Sequence, residues 1–227
     1  MINRLKEQIE YLSKFITEER LSLFKKVVKN RTRYITVVLE DIFQPHNASA
    51  VLRSCDCFGV QDIHIIENEN KYTVNPDVAL GSSKWLNLYK YNKSVNNTLN
   101  TINYLKQKGY RIIATTPHTD DVSIEDFDVT EGKFALMFGS ELPGLSKTAL
   151  DNADEFLKIP MFGFTESFNI SVSAAIALHH LTLKLRQSGI DFKISKKEQD
   201  ELILNWLKRS IKKSDLILEN FQRNKKI

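Results

Sequence analysis

Apolar residues recur along this chain at two different periods. Leu5, Ile9, Leu12 and Ile16 are spaced by four, three and four residues, which predicts one amphipathic N-terminal helix. Ile203, Leu207 and Ile211, beside Trp206, predict a second helical face near the other end. Between these ends the pattern shifts to short runs rich in β-branched residues: ITVVLE (35–40), DIHII (62–66), YRIIAT (110–115), KFALMF (133–138), EFLKIP (155–160) and a weaker one near 86–90. Helical patterns at 47–58, 94–108, 146–152 and 170–187 separate them. Strands alternating with helices predict an α/β core with a largely parallel sheet. In such sheets ligands sit beyond the carboxyl ends of the strands, so the chemistry is sought there.

A chain of 227 residues that is 42% hydrophobic buries a core without disulfides or a structural metal. No apolar run is long enough to cross a bilayer, and the opening INRLKEQIEYLSKF is charged and amphipathic rather than a signal peptide, so a cytoplasmic protein is expected. Cys55 and Cys57 form a C-x-C pair without matching His or Cys elsewhere, which reads as buried free thiols rather than a metal site. Adjacent His179 and His180 point about 100° apart on a helix and cannot hold one metal from one face. They read as packing or surface residues.

Charge is unevenly spread. Residues 1–35 carry nine Lys/Arg against four Asp/Glu and residues 191–227 carry ten against six, so the ends hold +9 of a total +4 and the middle holds −5. Basic arms around an acidic centre fit a polyanionic partner at the ends; two solvated lysine-rich helices without a ligand are the alternative.

Three loops carry the chemical signal. In PHNASAVLRSCDCFGV (45–60), Pro45 and Asn47 read as a helix start, with Asn47 as the cap. Arg53 is the only Lys, Arg, Asp or Glu between Ile42 and Cys55. Its guanidinium calls for a partner, either Asp56 one turn on or a phosphate or carboxylate brought by a ligand. In FGSELPGLS (138–146), Gly139 and Gly144 permit a close backbone approach to a ligand, and Pro143 stiffens the turn. Leu145 stands where a phosphate-binding loop needs Lys, and Glu141 where a dinucleotide fingerprint needs its second Gly, which disfavours nucleoside-triphosphate and nicotinamide enzymes. In IPMFGFTESFNISVSAAIALHHL (159–181), Asn169 or Ser171 caps a helix with Val172, Ile176, Leu178, Leu181 and Leu185 distributed almost all round. Such a helix is expected to be buried, including between subunits.

Together HNASAVLR, FGSELPGLS and IPMFGFTESFNISVSAA resemble the three motif blocks of the SpoU/TrmH-type RNA ribose methyltransferases of the SPOUT superfamily. The resemblance spans much of residues 36–185, and with only about 35 residues before the first strand it is closest to the tRNA guanosine branch. It implies a parallel sheet with a C-terminal trefoil knot, flanked by a basic helical arm (1–34) and a second one (191–227) around a methyltransferase domain (35–190). It also implies S-adenosylmethionine as cofactor near Thr115, Gly139, Ile159 and Phe168, catalytic roles for Asn47, Arg53, Glu141 and Asn169, a tRNA substrate and a homodimer with the active site completed near the subunit interface. Gln44, Thr165, Glu166 and Phe168 depart from the residues common in that branch.

Methyl transfer to a ribose oxygen needs aligned in-line attack and loss of the hydroxyl proton, and no metal. A guanidinium keeps its proton, so Arg53 is expected to clamp a substrate phosphate and stabilise developing alkoxide charge rather than act as base. Asn47 would orient the hydroxyl or Arg53, with Glu141 and Asn169 ordering the loops. The alternatives are an rRNA ribose methyltransferase and a non-catalytic RNA-binding or assembly factor with the same fold.

Overall fold

The computed structural model describes residues 2–73, 75, 79, 81–117 and 121–224, so Lys225 and Lys226 of the basic C-terminal stretch lie outside the described residues. The chain forms two compact units, Thr32–Phe192 and the two ends together, Met1–Arg31 with Lys193–Ile227. In chain order the elements are α1 (Ile2–Ser13), α2 (Glu18–Val28), β1 (Ile35–Glu40), α3 (Pro45–Phe58), β2 (Asp62–Ile66), β3 (Asn87–Tyr91), α4 (Asn97–Gln107) and β4 (Arg111–Thr115). They continue with β5 (Val122–Ser123), β6 (Phe134–Phe138), α5 (Lys147–Asn152), β7 (Glu155–Lys158), α6 (Ile170–Gln187), α7 (Lys196–Ser210) and α8 (Ser214–Asn224). No helix among the described residues is long and apolar enough to cross a membrane.

The central unit is built on a seven-stranded sheet in the order β3-β2-β1-β6-β4-β7-β5, with each neighbouring pair parallel. Alternation along each strand divides the core between two faces. Val37 and Leu39 of β1 pack with Ile63, Ile65 and Leu136 against Val51 and Leu52 of α3 and Ala174, Leu178 and Leu181 of α6. Val38 instead joins Ile66, Ala114 and Met137 against Ile102 and Leu105 of α4 and Ala149 of α5. Burial of both faces leaves every residue of β1, β2 and β6 buried and explains why β6 is apolar throughout. Each fully buried Val, Leu, Ile or Met among them contributes about 1.5–3 kcal/mol.

The six strands expected from the sequence are present, while β5 was not foreseen because its two residues leave no periodic signal. Helix α3 begins at Pro45 and not at Asn47: Gln44 occupies the cap position, and Asn47 is a buried residue of the first turn. Gly59 ends α3 with φ 82°, and Val60 donates its N–H to the Cys55 carbonyl at 2.9 Å. Cys55 is buried but Cys57 is exposed, since two residues rotate a helix by about 200°. Asn169 caps α6 through its side chain, as expected. Helix α6 is buried on one side only in the single chain, with Val172 and Leu183 43% and 46% exposed.

The terminal unit holds four helices, α1, α2, α7 and α8, among the described residues. The N-terminal stripe breaks earlier than its spacing predicts: α1 ends at Ser13, Ile16 lies in the turn, and Thr17 caps α2 by accepting from Arg20 N–H at 3.2 Å. Glu18 and Glu19 add favourable charge to that first turn. Ser195 and Glu198 form a reciprocal capping box at α7, and Ile211 is the C-cap rather than a continuation of its face. Trp206 is buried, with Phe24 edge-on at 5.6 Å and the Arg31 guanidinium 5.4 Å from its ring centre. Tyr11 stacks on Phe221 at 4.3 Å.

On the face of β2 and β3 beneath α4, His64 shares a 2.8 Å hydrogen bond with the Tyr91 hydroxyl and stacks on Tyr89 at 4.9 Å. Burial lowers its pKa from 6.5 to about 4. The unfolded chain takes up this proton near pH 6.5 and the folded chain only near pH 4, so the unfolded state binds more protons across that window. Stability is therefore predicted to fall by about 3 kcal/mol as pH drops through the window, and His64→Phe to flatten that part of the urea-unfolding profile.

Candidate active site

A cavity of about 510 Å³ opens beyond the carboxyl ends of β4, β6 and β7. Thr115 ends β4, Gly139 follows β6 and Ile159 follows β7; all three line the cavity, as does Phe168 in the next loop. The four residues expected around a cofactor thus meet in one space. The Thr115 hydroxyl is committed to the Met137 carbonyl at 2.7 Å, which ties β4 to β6 at the cavity floor. Leu142 and Met161 add apolar wall.

The loop after β6 folds back on itself. Ser140 and Gly144 exchange backbone hydrogen bonds at 3.1 and 3.0 Å, and Gly144 adopts φ 69°. A Cβ on Gly139 would lie 2.1 Å from the carbonyl carbon and oxygen of Gly144. The sequence reading placed Gly139 for close approach to a ligand, but the close approach is to the loop's own backbone.

Three side chains from three loops converge on one oxygen. The amides of Asn47 and Asn169 both donate to Glu141 Oε1 at 2.6 Å, and Asn169 Nδ2 also donates to Asn47 Oδ1 at 3.2 Å. Asn47 spends its other amide hydrogen on Gln44 Oε1 at 3.2 Å. Asn169 Oδ1 accepts from the N–H and hydroxyl of Ser171 at 2.8 and 2.6 Å. Both amides are thereby fully used in holding the loops of α3, β6 and α6 together. Hydrogen bonds to a charged acceptor contribute about 1.5–3 kcal/mol each where they are shielded from water. Glu141 itself is exposed and lines the cavity, and its second oxygen accepts no hydrogen bond among the described residues.

Arg53 stands apart from this junction. It is exposed on α3, does not line the cavity, and forms no hydrogen bond or ion pair among the described residues. The intrahelical pair with Asp56 is not formed.

Two carboxylates that sequence reasoning did not single out shape the same sheet edge. Glu40, buried at the end of β1, accepts from the Ser146 N–H and hydroxyl at 2.8 and 2.7 Å and from the Thr98 hydroxyl at 2.6 Å. It fixes the cap of α5 and hence the far end of the glycine loop. Asp41, at φ 50°, accepts at one oxygen from the N–H groups of Asn68, Glu69 and Asn70 at 2.7, 2.9 and 3.2 Å. An acidic residue ending an apolar strand was the available signal for Glu40.

The terminal unit carries a separate cleft of about 490 Å³ lined by Ser22, Lys25, Lys26, Lys29, Asn30 and Lys193. No acidic residue lines it, and Lys25, Lys26 and Lys29 form no ion pair among the described residues. Like charges one helical turn apart repel one another, which suits the cleft electrostatically to an anion.

Residues 34–179 match the model of the SpoU rRNA Methylase family. The chain is 44% identical over 211 residues to the tRNA (guanosine(18)-2'-O)-methyltransferase of Borreliella burgdorferi, covering 93% of this chain and 94% of that one. Among solved structures, the TrmH/SpoU tRNA modifying enzyme of A. aeolicus superposes with a TM-score of 0.77 at 27% identity, covering 86% of this chain and 98% of the other. The SpoU methyltransferase AviRb of Streptomyces viridochromogenes, solved in complex with the cofactor AdoMet, shares the fold at a TM-score of 0.58 and 21% identity, over 73% and 62% of the two chains.

The contact between Gly139 and Gly144 makes a direct test of the loop. Gly139→Ala is expected to cost about 3 kcal/mol in urea unfolding, at the upper end for overpacking because backbone must move. A cost below about 0.5 kcal/mol would show that the two peptides do not pack this tightly in solution.

Proposed function

This chain belongs to the SpoU rRNA Methylase family, and on that premise we propose that it transfers a methyl group from S-adenosylmethionine to a ribose 2′-hydroxyl of tRNA, at guanosine 18. The observation that carries the reading is the junction of Asn47, Glu141 and Asn169, which gathers three motif loops beside the cavity. Its substrate assignment rests on likeness to the guanosine(18) enzyme of Borreliella burgdorferi along nearly the whole of both chains.

The cavity fits the methyl donor. Its volume lies in the range of about 300–1,000 Å³ usual for ligand clefts, and strand-end backbone between apolar walls suits a nucleoside with a zwitterionic tail. Thr115, Gly139, Ile159 and Phe168 would hold it. When bound, the donor supplies an electrophilic methyl on a sulfonium. The trefoil knot implied by the resemblance is part of this reading, as the device that closes the cavity's loops around the donor.

The chain's own residues then position and stabilise. Asn47, Glu141 and Asn169 hold the loops, and the open oxygen of Glu141 offers an acceptor toward the cavity. Arg53 clamps the phosphate next to the target ribose and stabilises the alkoxide as it develops, while the proton leaves through phosphate or water. Arg53 lies outside its own chain's cavity, so the reading includes a homodimer in which a second copy presents it. The exposed apolar face of α6 around Val172 and Leu183 supports such a pairing. The lysine cleft of the terminal unit would take the RNA backbone.

Two experiments test this. Incubation of tRNA with S-adenosylmethionine followed by mapping of 2′-O-methyl positions is expected to give one modified guanosine, and Arg53→Ala to lower the single-turnover rate by roughly 10²–10³ with donor affinity intact. Near-normal turnover would remove Arg53 from the chemistry. Replacing Lys25, Lys26 and Lys29 with alanine is expected to weaken tRNA binding and reduce the steepness of its salt dependence by about two to three, since each phosphate contact contributes close to one. An unchanged slope would place the RNA elsewhere. This triple variant is preferable to removing residues 191–227, because α7 supplies the buried Trp206 and Leu207 of the terminal unit.

A further inference from the structure

Two carboxylates line the cavity among the described residues, and they are in opposite states. Glu141 accepts from two amides. Glu166 is exposed and forms no hydrogen bond or ion pair among the described residues. It lies in a loop whose aromatic rings face outward: Phe162 and Phe164 are 97% and 108% exposed, and Phe168, which also lines the cavity, is 43% exposed. Aromatic side chains left in water at the mouth of a cavity cost solvation free energy unless they meet a partner. Met161, Glu166, Ser167 and Phe168, which flank Phe162 and Phe164 along the chain, line the cavity.

We propose that residues 162–166, between the donor-facing Met161 and Phe168, form the subsite that recognises the target base, with Phe164 or Phe162 stacking on it and Glu166 accepting from its Watson–Crick edge, and that the base is guanine. The inference rests on the methyltransferase reading above and names the specificity element of that same site. Guanine is the one standard base whose Watson–Crick edge presents two adjacent donors, N1–H and the N2 amino group, and a carboxylate is the side chain that accepts both. Adenine presents an unprotonated N1 in the middle of that edge, which a carboxylate repels, and a pyrimidine offers a smaller stacking face. Single-stranded RNA loops are recognised in this way, by splayed bases stacked on aromatic rings and hydrogen-bonded at their edges. Gly163 between the two rings leaves room at the backbone, since a Cβ there would meet nothing within 4 Å.

The test uses the full chain, S-adenosylmethionine and tRNA transcripts with guanosine, inosine or adenosine at the methylated position. Inosine keeps N1–H and lacks the amino group, so the parent protein is expected to lose roughly ten-fold or more in kcat/KM on it, the worth of one hydrogen bond to a charged acceptor. Glu166→Ala is expected to bring the guanosine-to-inosine ratio to about one, because a site without the acceptor no longer registers the missing donor. Glu166→Gln keeps the shape and is expected to fall between, accepting one bond where the carboxylate accepts two. Phe164→Ala and Phe162→Ala are expected to raise KM for tRNA roughly ten-fold in at least one case, with S-adenosylmethionine affinity unchanged by calorimetry.

An unaltered guanosine-to-inosine ratio in both Glu166 variants overturns the proposal. So does a fall in S-adenosylmethionine affinity that matches the loss of activity, because Glu166 would then face the donor. A change of oligomeric state on replacing the phenylalanines, seen by light scattering, overturns the stacking half by assigning the rings to a subunit contact. Failure of the parent protein to methylate any tRNA would count against the methyltransferase reading itself, a result distinct from these.

Discussion

Glu141 Oε1 accepts from two asparagine amides that are 122 residues apart in the chain, and the geometry of the cavity follows from that one oxygen. A carboxylate at a loop tip is ordinarily hydrated and mobile. Here each amide has its second hydrogen committed as well, Asn47 to Gln44 and Asn169 to Asn47, so the junction closes on itself and no donor is left over. Gln44 gains a physical role by this: an acceptor at that position completes Asn47, which a lysine there would not.

Around the junction the site is made largely from backbone, fixed by carboxylate acceptors of which Glu40 is buried and Asp41 half-buried. Gly139 and Gly144 bring two peptides into contact, Glu40 pins the end of the same loop through Ser146, and Asp41 gathers three N–H groups after β2. Buried acceptors of this kind persist because an unpaired N–H in the interior is costly. The apolar sheet supplies the rigid base that keeps these loops in register, and the cavity opens where the strands run out.

The two units meet different physical demands. The central one buries a sheet on both faces and concentrates its polar groups at one end of the strands. The terminal one packs helices around Trp206 and leaves Lys25, Lys26 and Lys29 without an ion pair among the described residues. The net charge of +4 hides this separation, since the basic ends and the acidic centre offset each other. Positive charge and the strand-end cavity thereby fall in different parts of one chain.

Local patterning along the chain suffices for the parallel α/β class, six of the strands and the positions of the three loops, because period-2 and period-3.6 patterns and the glycine and asparagine punctuation are local properties. The isolation of Arg53 among uncharged residues was equally legible. The early end of α1 at Ser13 is hidden in the sequence because the apolar stripe continues to Ile16, beyond the last helical residue, and Asn47 reads as a cap because its preference for helix starts says nothing about a partner 94 residues away. Folding in three dimensions is what brings the Asn47 and Asn169 amides to one oxygen of Glu141, sets Gly139 against Gly144, and leaves Arg53 outside the cavity of its own chain. Those are consequences of strand order and loop closure, which place residues by distance in space, and residue type and spacing carry no record of that distance.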